Sequence, residues 1–287
     1  MASFLSRQLN PSERIAQTRL AGKPAIAFGG RQLMLVALPL LLLLFIPLLA
    51  LIVRTPPSMV LRHIGSREVL HALMLSLCTS TISTLVVIVL GTPIAYLLVR
   101  QRFFGRRMLE VLVDLPTVLP PAVAGLALLM AFGRRGLLGE TFSALGVEIP
   151  FTTVAVVVAQ VFVAASLYIK TAGVGLAAIN TEIEQAAALD GACPRSIFRH
   201  ITLPLAWRGM LGGAALAWTR ALGEFGATII FAGNFPGRTQ TMPLLVYLSF
   251  EIDLEQALTL ALILLLICFG ILVGVRALLR DQDHDHA

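Results

Sequence analysis

Six runs of mainly apolar residues, each about as long as a bilayer-crossing helix, constrain this sequence more than any other feature. A spanning helix needs roughly 20 such residues. Runs of that length lie at about Gln32 to Val53, Val69 to Val99, Leu109 to Phe132, Thr152 to Leu176, Leu205 to Gly233 and Leu254 to Leu279. The second and fifth are long enough to tilt or to project past the bilayer. The chain is 57% hydrophobic and 13% charged, with mean hydropathy +0.87, which is more apolar surface than a soluble domain of 287 residues can bury. Lipid must be part of its solvent, and the expectation is an all-α polytopic membrane protein with six transmembrane helices.

The net charge of +6 does not point to nucleic acid, because the basic residues sit in short segments between the apolar runs, where they read as topology signals. With the N-terminus inside, the inner segments and their flanks hold Arg7, Arg14, Arg19, Lys23, Arg31, Arg100, Arg102, Arg106, Arg107, Lys170, Arg195, Arg199, Arg208, Arg276 and Arg280. The outer loops hold Arg54, Arg62, Arg67, Arg134, Arg135 and Arg238. Cytoplasmic loops carry the excess, so both ends are expected in the cytoplasm of an inner-membrane protein. The expected organisation is an N-terminal tail over 1–31, a membrane domain over 32–280 and a polar C-terminal tail over 281–287. Nothing before Arg31 has the apolar length of a signal peptide.

Pro39, Pro47, Pro93, Pro116, Pro120 and Pro121 fall in or beside the spans. Membrane helices tolerate such breaks where other groups or a cavity satisfy the freed carbonyls. The string Leu115 to Pro121 is a candidate for a distorted part of the third span that lines a pathway, with ordinary kinking as the plainer reading. Gly209 with Gly213, and Gly270 with Gly274, offer small faces for close helix approach. Arg220 and Glu224 lie inside the fifth span, four residues apart and on one face, where they can neutralise one another. They read either as a structural pair or, together with Thr228, as part of a pathway that attracts and releases an anion. Cys78, Cys193 and Cys268 have no metal-ligand spacing, and no metal site is expected.

Residues 177–204 form a segment between the fourth and fifth spans that is too polar to cross lipid. It reads as a helix through Glu182 to Leu189, a break at Gly191 and a second helix from about Pro194. Ala186, Ala187, Gly191, Ile201, Leu203 and Pro204 stand at the spacing of the Glu-Ala-Ala loop of ABC importer permeases, with Gln185 replacing the acid and Glu184 one residue earlier. The segment therefore resembles that family. The resemblance implies a type I importer permease fold, whose cytoplasmic coupling helix docks on a separate ATP-binding subunit and rocks the permease between inward-open and outward-open states. Arg195, Ile197, Phe198 and His200 are the expected contacts, with Ile197 and Phe198 as apolar anchors. Packing of either anchor on the chain's own helices is the alternative. No Gly-rich phosphate loop ending in Gly-Lys-Ser/Thr occurs, so ATP and Mg are expected in the partner and no cofactor or catalytic residue in this chain.

The stretch Gly223-Glu-Phe-Gly-Ala-Thr228, with Phe231-Ala-Gly-Asn234 and Pro236-Gly-Arg-Thr-Gln-Thr241, is similar to molybdate and tungstate permeases, with sulfate permeases as near relatives. The similarity implies import of a small oxyanion by a homodimer of this chain, bound to two ATP-binding subunits and visited by an extracytoplasmic binding protein. Asn234, Arg238 and Gln240 in one outer loop, and Arg134 and Arg135 in another, are candidates for the docking of that protein, although solvated arginines fit as well. A secondary transporter would need coupling-ion sites and usually an internal repeat. An intramembrane enzyme would need a nucleophile with its base or a metal motif. Neither pattern is visible, and His63, His71, His200, His284 and His286 are scattered or lie in the tail.

Overall fold

The computed structural model describes residues 30–284, with side chains described for 33–277. The N-terminal tail before Gly30 and the last three residues lie outside the described residues. The chain divides into two units, Met1–Val53 and Arg54–Ala287. The first contains nearly all of α1 (Gly30–Arg54), an apolar helix that carries Pro39 and Pro47 within it.

The second unit is a helical bundle. Its elements are α2 (Pro57–His63), α3 (Arg67–Arg100), α4 (Arg106–Val118), α5 (Pro121–Phe132), α6 (Gly139–Ala144), α7 (Thr153–Ala177), α8 (Thr181–Leu189) and α9 (Pro194–Ile197). After a π turn at Phe198–Thr202 come α10 (Leu203–Leu222), α11 (Gly226–Phe231), α12 (Met242–Ile252) and α13 (Leu254–His284). Ser66 caps α3 by accepting from the Val69 N–H, and Thr152 caps α7 by accepting from the Ala155 N–H.

All six expected runs are helical, but two of them are not continuous, so the count of six spanning helices is not exact. Among the described residues four helices are individually long and apolar enough to cross a membrane: Leu33–Arg54, Arg67–Arg100, Thr153–Ala177 and Leu254–Ala277. The third run is α4 and α5, bent by 117° where Leu119 and Pro120 interrupt the helix. Pro121 lacks an N–H and opens the new helix at the position where no hydrogen bond is lost. The fifth run is α10 and α11, broken after Leu222. The short apolar helix α12 was not anticipated, and α13 continues through Asp281 into the expected tail.

At the centre stands α7, packed on α3 and α10. Val87, Ala95, Ala164, Tyr168, Ala172, Leu176, Ala206, Ala217 and Ala221 make one core between these three helices. The alanines explain how α10 crosses the bundle with modest hydropathy: flanked by protein, it needs little lipid-facing apolar surface. A Cβ built on Gly209 would stand 2.6 Å from Gly175 Cα, and one on Gly175 2.9 Å from Gly209 Cα, so α7 and α10 touch backbone to backbone. Gly213 also faces α7, beside Thr171 and Tyr168, whereas Gly270 and Gly274 meet nothing within 4 Å among the described residues. Only the first of the two expected glycine pairs is therefore a packing face here.

Leu at Gly209 or Gly175 must push these helices apart. The expected loss is about 1–3 kcal/mol for an overpacked contact, read as a lowered Tm of the detergent-solubilised protein, while Gly270→Leu leaves Tm unchanged.

Candidate functional site

The loop between α7 and α10 is built as the sequence pattern anticipates. Asn180 caps α8 by accepting from the Glu182 N–H at 3.0 Å. Gly191 turns the chain at φ 88, a left-handed conformation in which a side chain is strained. Pro194 then opens α9. The structure departs from expectation at the far end, because α9, the π turn and α10 run on as one rod from Pro194 to Leu222. Pro204 does not end anything; it lies in the first turn of α10. The Leu203 N–H reaches back five residues to Phe198 O, and this widened turn absorbs the register around a proline that cannot donate.

The two expected anchors point into the bundle. Ile197 is 8% exposed, and the Phe198 ring packs edge-on against Tyr96 of α3 with centroids 5.1 Å apart. Packing on the chain's own helices thus holds for both, and the π turn explains it by rotating this segment toward α3. Arg195, His200, Gln185, Ala186 and Pro204 are exposed, while Ala187, Ile201 and Leu203 are half-buried. The large apolar side chains that this loop shows to its surroundings are Ile183 and Leu189, the latter 88% exposed.

The carboxylate of this segment that is tied into the bundle belongs to Glu184, one residue before Gln185. Its Oε2 lies 3.0 Å from Arg100 Nε at the end of α3, and its Oε1 accepts from the Thr202 hydroxyl at 2.7 Å. The Arg100 Nε–H is not aimed along that line, so the contact is charge against charge rather than a hydrogen bond. Arg100 Nη2 donates to Ile179 O, just past α7. With side-chain exposures of 12% and 13%, the pair is nearly dry. Removing one member of a buried pair commonly costs about 3–5 kcal/mol.

Farther along the rod, the two interrupted spans meet. A Cβ on Gly226 would stand 2.5 Å from Pro121 Cβ, and one on Gly125 2.8 Å from Ala227 O, so the start of α5 lies against the start of α11. Glu224 sits in this joint at 1% exposure. One oxygen pairs with Arg220 at 2.6 Å; the other accepts from the Ala227 N–H at 2.8 Å and so caps α11. Thr228 is buried nearby in sequence, with its hydroxyl unpartnered. Pro116 lies within α4, before the bend made at Pro120 and Pro121. A second ion pair was not anticipated: Lys170 Nζ lies 2.9 Å from Asp114 Oδ1, with about half of each side chain exposed, and Ser166 donates to Val113 O beside it. Both contacts join α7 to α4, which linear spacing does not reveal.

On the opposite side, Arg134, Glu148, Pro150, Phe151 and Arg238 line a cavity of about 430 Å³. Arg134 pairs with Glu148 at 2.7 Å, and the hydrogen bond and charge of that carboxylate raise the guanidinium pKa above its ordinary value. Arg135 is exposed outside this cavity. Gln240 is only 4% exposed and Asn234 is half-buried, so the surface of that loop is Phe235 to Arg238 rather than the Thr-Gln-Thr string. The string is tied inward: Thr239 accepts from the Phe235 N–H, and Ser76 of α3 accepts from the Met242 N–H at 2.7 Å.

A helical membrane bundle with broken spans at its centre and a polar helical loop fastened to one end defines a transport permease. The chain belongs to the family of binding-protein-dependent transport system inner membrane components, which matches residues 87–280. It is 42% identical over 206 residues to the molybdenum transport system permease protein ModB of Mycobacterium tuberculosis, covering 72% of this chain and 78% of that one. It is 32% identical over 237 residues to a probable sulfate transport system permease protein of Zygnema circumcarinatum, covering 81% and 82%. Among solved structures, a bacterial alginate ABC transporter with its periplasmic protein has a chain that superposes with TM-score 0.69 at 14% identity, over 87% of this chain and 93% of that one. That likeness is one of fold, the type I ABC importer permease.

Glu224→Gln keeps a hydrogen-bond acceptor for Ala227 but loses the charge, whereas Glu224→Leu leaves that buried N–H unpaired. The leucine variant is expected to be less stable than the glutamine variant by about 1–3 kcal/mol, measured by thermal unfolding in detergent.

Proposed function

We propose that this protein is the membrane-spanning subunit of an ATP-driven, binding-protein-dependent importer for molybdate or tungstate. The observation that carries this reading is the 42% identity to a molybdenum permease across 72% of the chain, the sulfate permease standing lower at 32%. Two copies form the pathway, each bound to an ATP-binding subunit, with one oxyanion-binding protein on the outer face. ATP and Mg belong to those partners. The chain itself supplies a route and a lever, with no bond-making chemistry.

Both chain ends and the loop from α8 to the π turn lie in the cytoplasm, in keeping with the excess of Lys and Arg on that side. The ATP-binding subunit docks on the exposed face of that loop, through Leu189 and Ile183 as apolar contacts and Arg195 and His200 as polar ones. On the outer side, Arg134 and Arg238 around their cavity meet acidic side chains of the binding protein. The oxyanion passes the joint of the broken spans, where Arg220 attracts it and Glu224 limits its residence. Arg220 is about one-third exposed beside a buried partner, a placement suited to that transient role.

Proteoliposomes holding the permease with its ATP-binding subunit are expected to accumulate labelled molybdate only when ATP and the binding protein are both supplied. Uptake driven by an ion gradient without ATP would overturn the importer reading in favour of a secondary transporter. Within the same complex, Leu189→Asp is expected to reduce co-purification of the ATP-binding subunit by about tenfold or more, as for loss of an apolar hot spot, with Tm unchanged because Leu189 touches little of its own chain. Gly191→Val strains the left-handed turn and is expected to have the same effect.

A further inference from the structure

No residue of α8 is buried, so apolar packing does not hold this helix to the bundle. Among the described residues, Glu184 is the side chain that ties it to distant segments. Glu184 reaches the end of α3 through Arg100 and the π turn through Thr202, while Arg100 also holds the Ile179 carbonyl that follows α7. Four segments therefore converge on a single nearly dry carboxylate–guanidinium contact. Such a contact is stiff, because neither charge has water to replace its partner when the two separate.

The members of this clasp lead to different places. Thr202 belongs to the rod that continues through α10 to the Glu224 joint. Arg100 ends α3, a helix of 34 residues, which at 1.5 Å per residue is about 50 Å long. Near its other end, Ser76 accepts from the Met242 N–H, and Val69 and Ala72 pack on Met242, Leu245 and Leu260. The helix thus connects the loop at one membrane face to α12 and the loop before it at the other. Pro93 lies within α3, about two turns from Arg100, and provides a place to bend.

We propose that the Arg100–Glu184 contact is the transmission element that converts displacement of the coupling loop into movement of α3, and through α3 into rearrangement of the outer loop at Thr239 to Met242. The proposal rests on the importer reading. In it, Glu184 and Arg100 are positioning residues: they touch neither the oxyanion nor the nucleotide, and they act on the pathway through α3. Thr202 orients the carboxylate. The sequence position that the family pattern reserves for an acid, Gln185, faces outward and takes no part.

The test uses the complete complex in proteoliposomes and reads molybdate imported per ATP hydrolysed. Glu184→Gln and Arg100→Gln are expected to retain the ATP-binding subunit at wild-type stoichiometry and to go on hydrolysing ATP. Import per ATP falls about tenfold, in the range of a typical coupling between sites. The exchanged pair Glu184→Arg with Arg100→Glu restores the ratio toward wild type, which an effect on folding alone would not produce. Should the single-charge variants fail to accumulate, Thr202→Val carries the test, and its ratio is expected to fall less steeply but measurably. An unchanged ratio in the variants overturns the proposal. So does loss of the ATP-binding subunit from the complex, which would make the clasp part of the docking face. Failure of the wild-type complex to import molybdate with ATP would instead defeat the functional reading on which the proposal stands.

Discussion

The Glu224 carboxylate is the interaction on which the centre of this bundle depends. Hydrocarbon offers no partner for a backbone N–H, so a helix inside a membrane can be interrupted only where the protein supplies a substitute. Between α10 and α11 that substitute is one side chain, which caps the new helix at Ala227 and meets its own countercharge one turn back at Arg220. The other interrupted span solves the same problem with prolines, which have no N–H to satisfy, and the two interruptions then pack against each other at Pro121 and Gly226. Removing bulk at Gly226 and Gly125 lets the broken ends approach. The joint presents interrupted backbone and a paired charge instead of an unbroken apolar surface.

The same economy of contacts governs the loop side. The rod from Pro194 to Leu222 makes the second half of the loop continuous with the central span, so movement there reaches the Glu224 joint without crossing a flexible connection. The first half, α8, is a separate short helix with no fully buried residue, and Glu184 ties it to the end of α3. Turning Ile197 and Phe198 inward toward α3 leaves Leu189 and Ile183 as the apolar groups facing outward. In the proposed complex, a partner docked on this face presses on α8, and the Glu184 contact receives that load.

Charges within the spans are spent in pairs. Arg220 offsets the cost that the buried Glu224 charge would impose alone, whereas Lys170 and Asp114 pair with about half of each side chain exposed. The first pair is local and joins the last turn of α10 to the residue that caps α11. The second ties α4 to α7 beside the Ser166–Val113 hydrogen bond, and holds the half of the third span that precedes the bend. The Arg134–Glu148 pair is the most exposed of the three, its side chains 75% and 59% open.

Apolar run length, the distribution of Lys and Arg, and the spacing from Ala186 to Pro204 made the membrane class, the break at Gly191 and the family legible without coordinates, because these depend on local propensity and on transfer from water to lipid. The Arg220–Glu224 pair was legible from a spacing of four, although the helix ends at Leu222 and Glu224 reaches Arg220 from the joint beyond it. What the chain order hides are contacts between segments. Glu184 finds Arg100 across 84 positions, Lys170 finds Asp114 across 56 and Met242 finds Ser76 across 166. The helical run through Pro204, the burial of Gln240 and the inward turn of Phe198 likewise required the assembled bundle. Each of those was decided by which neighbour could satisfy a polar group or fill a space, a choice that exists only once the helices stand side by side.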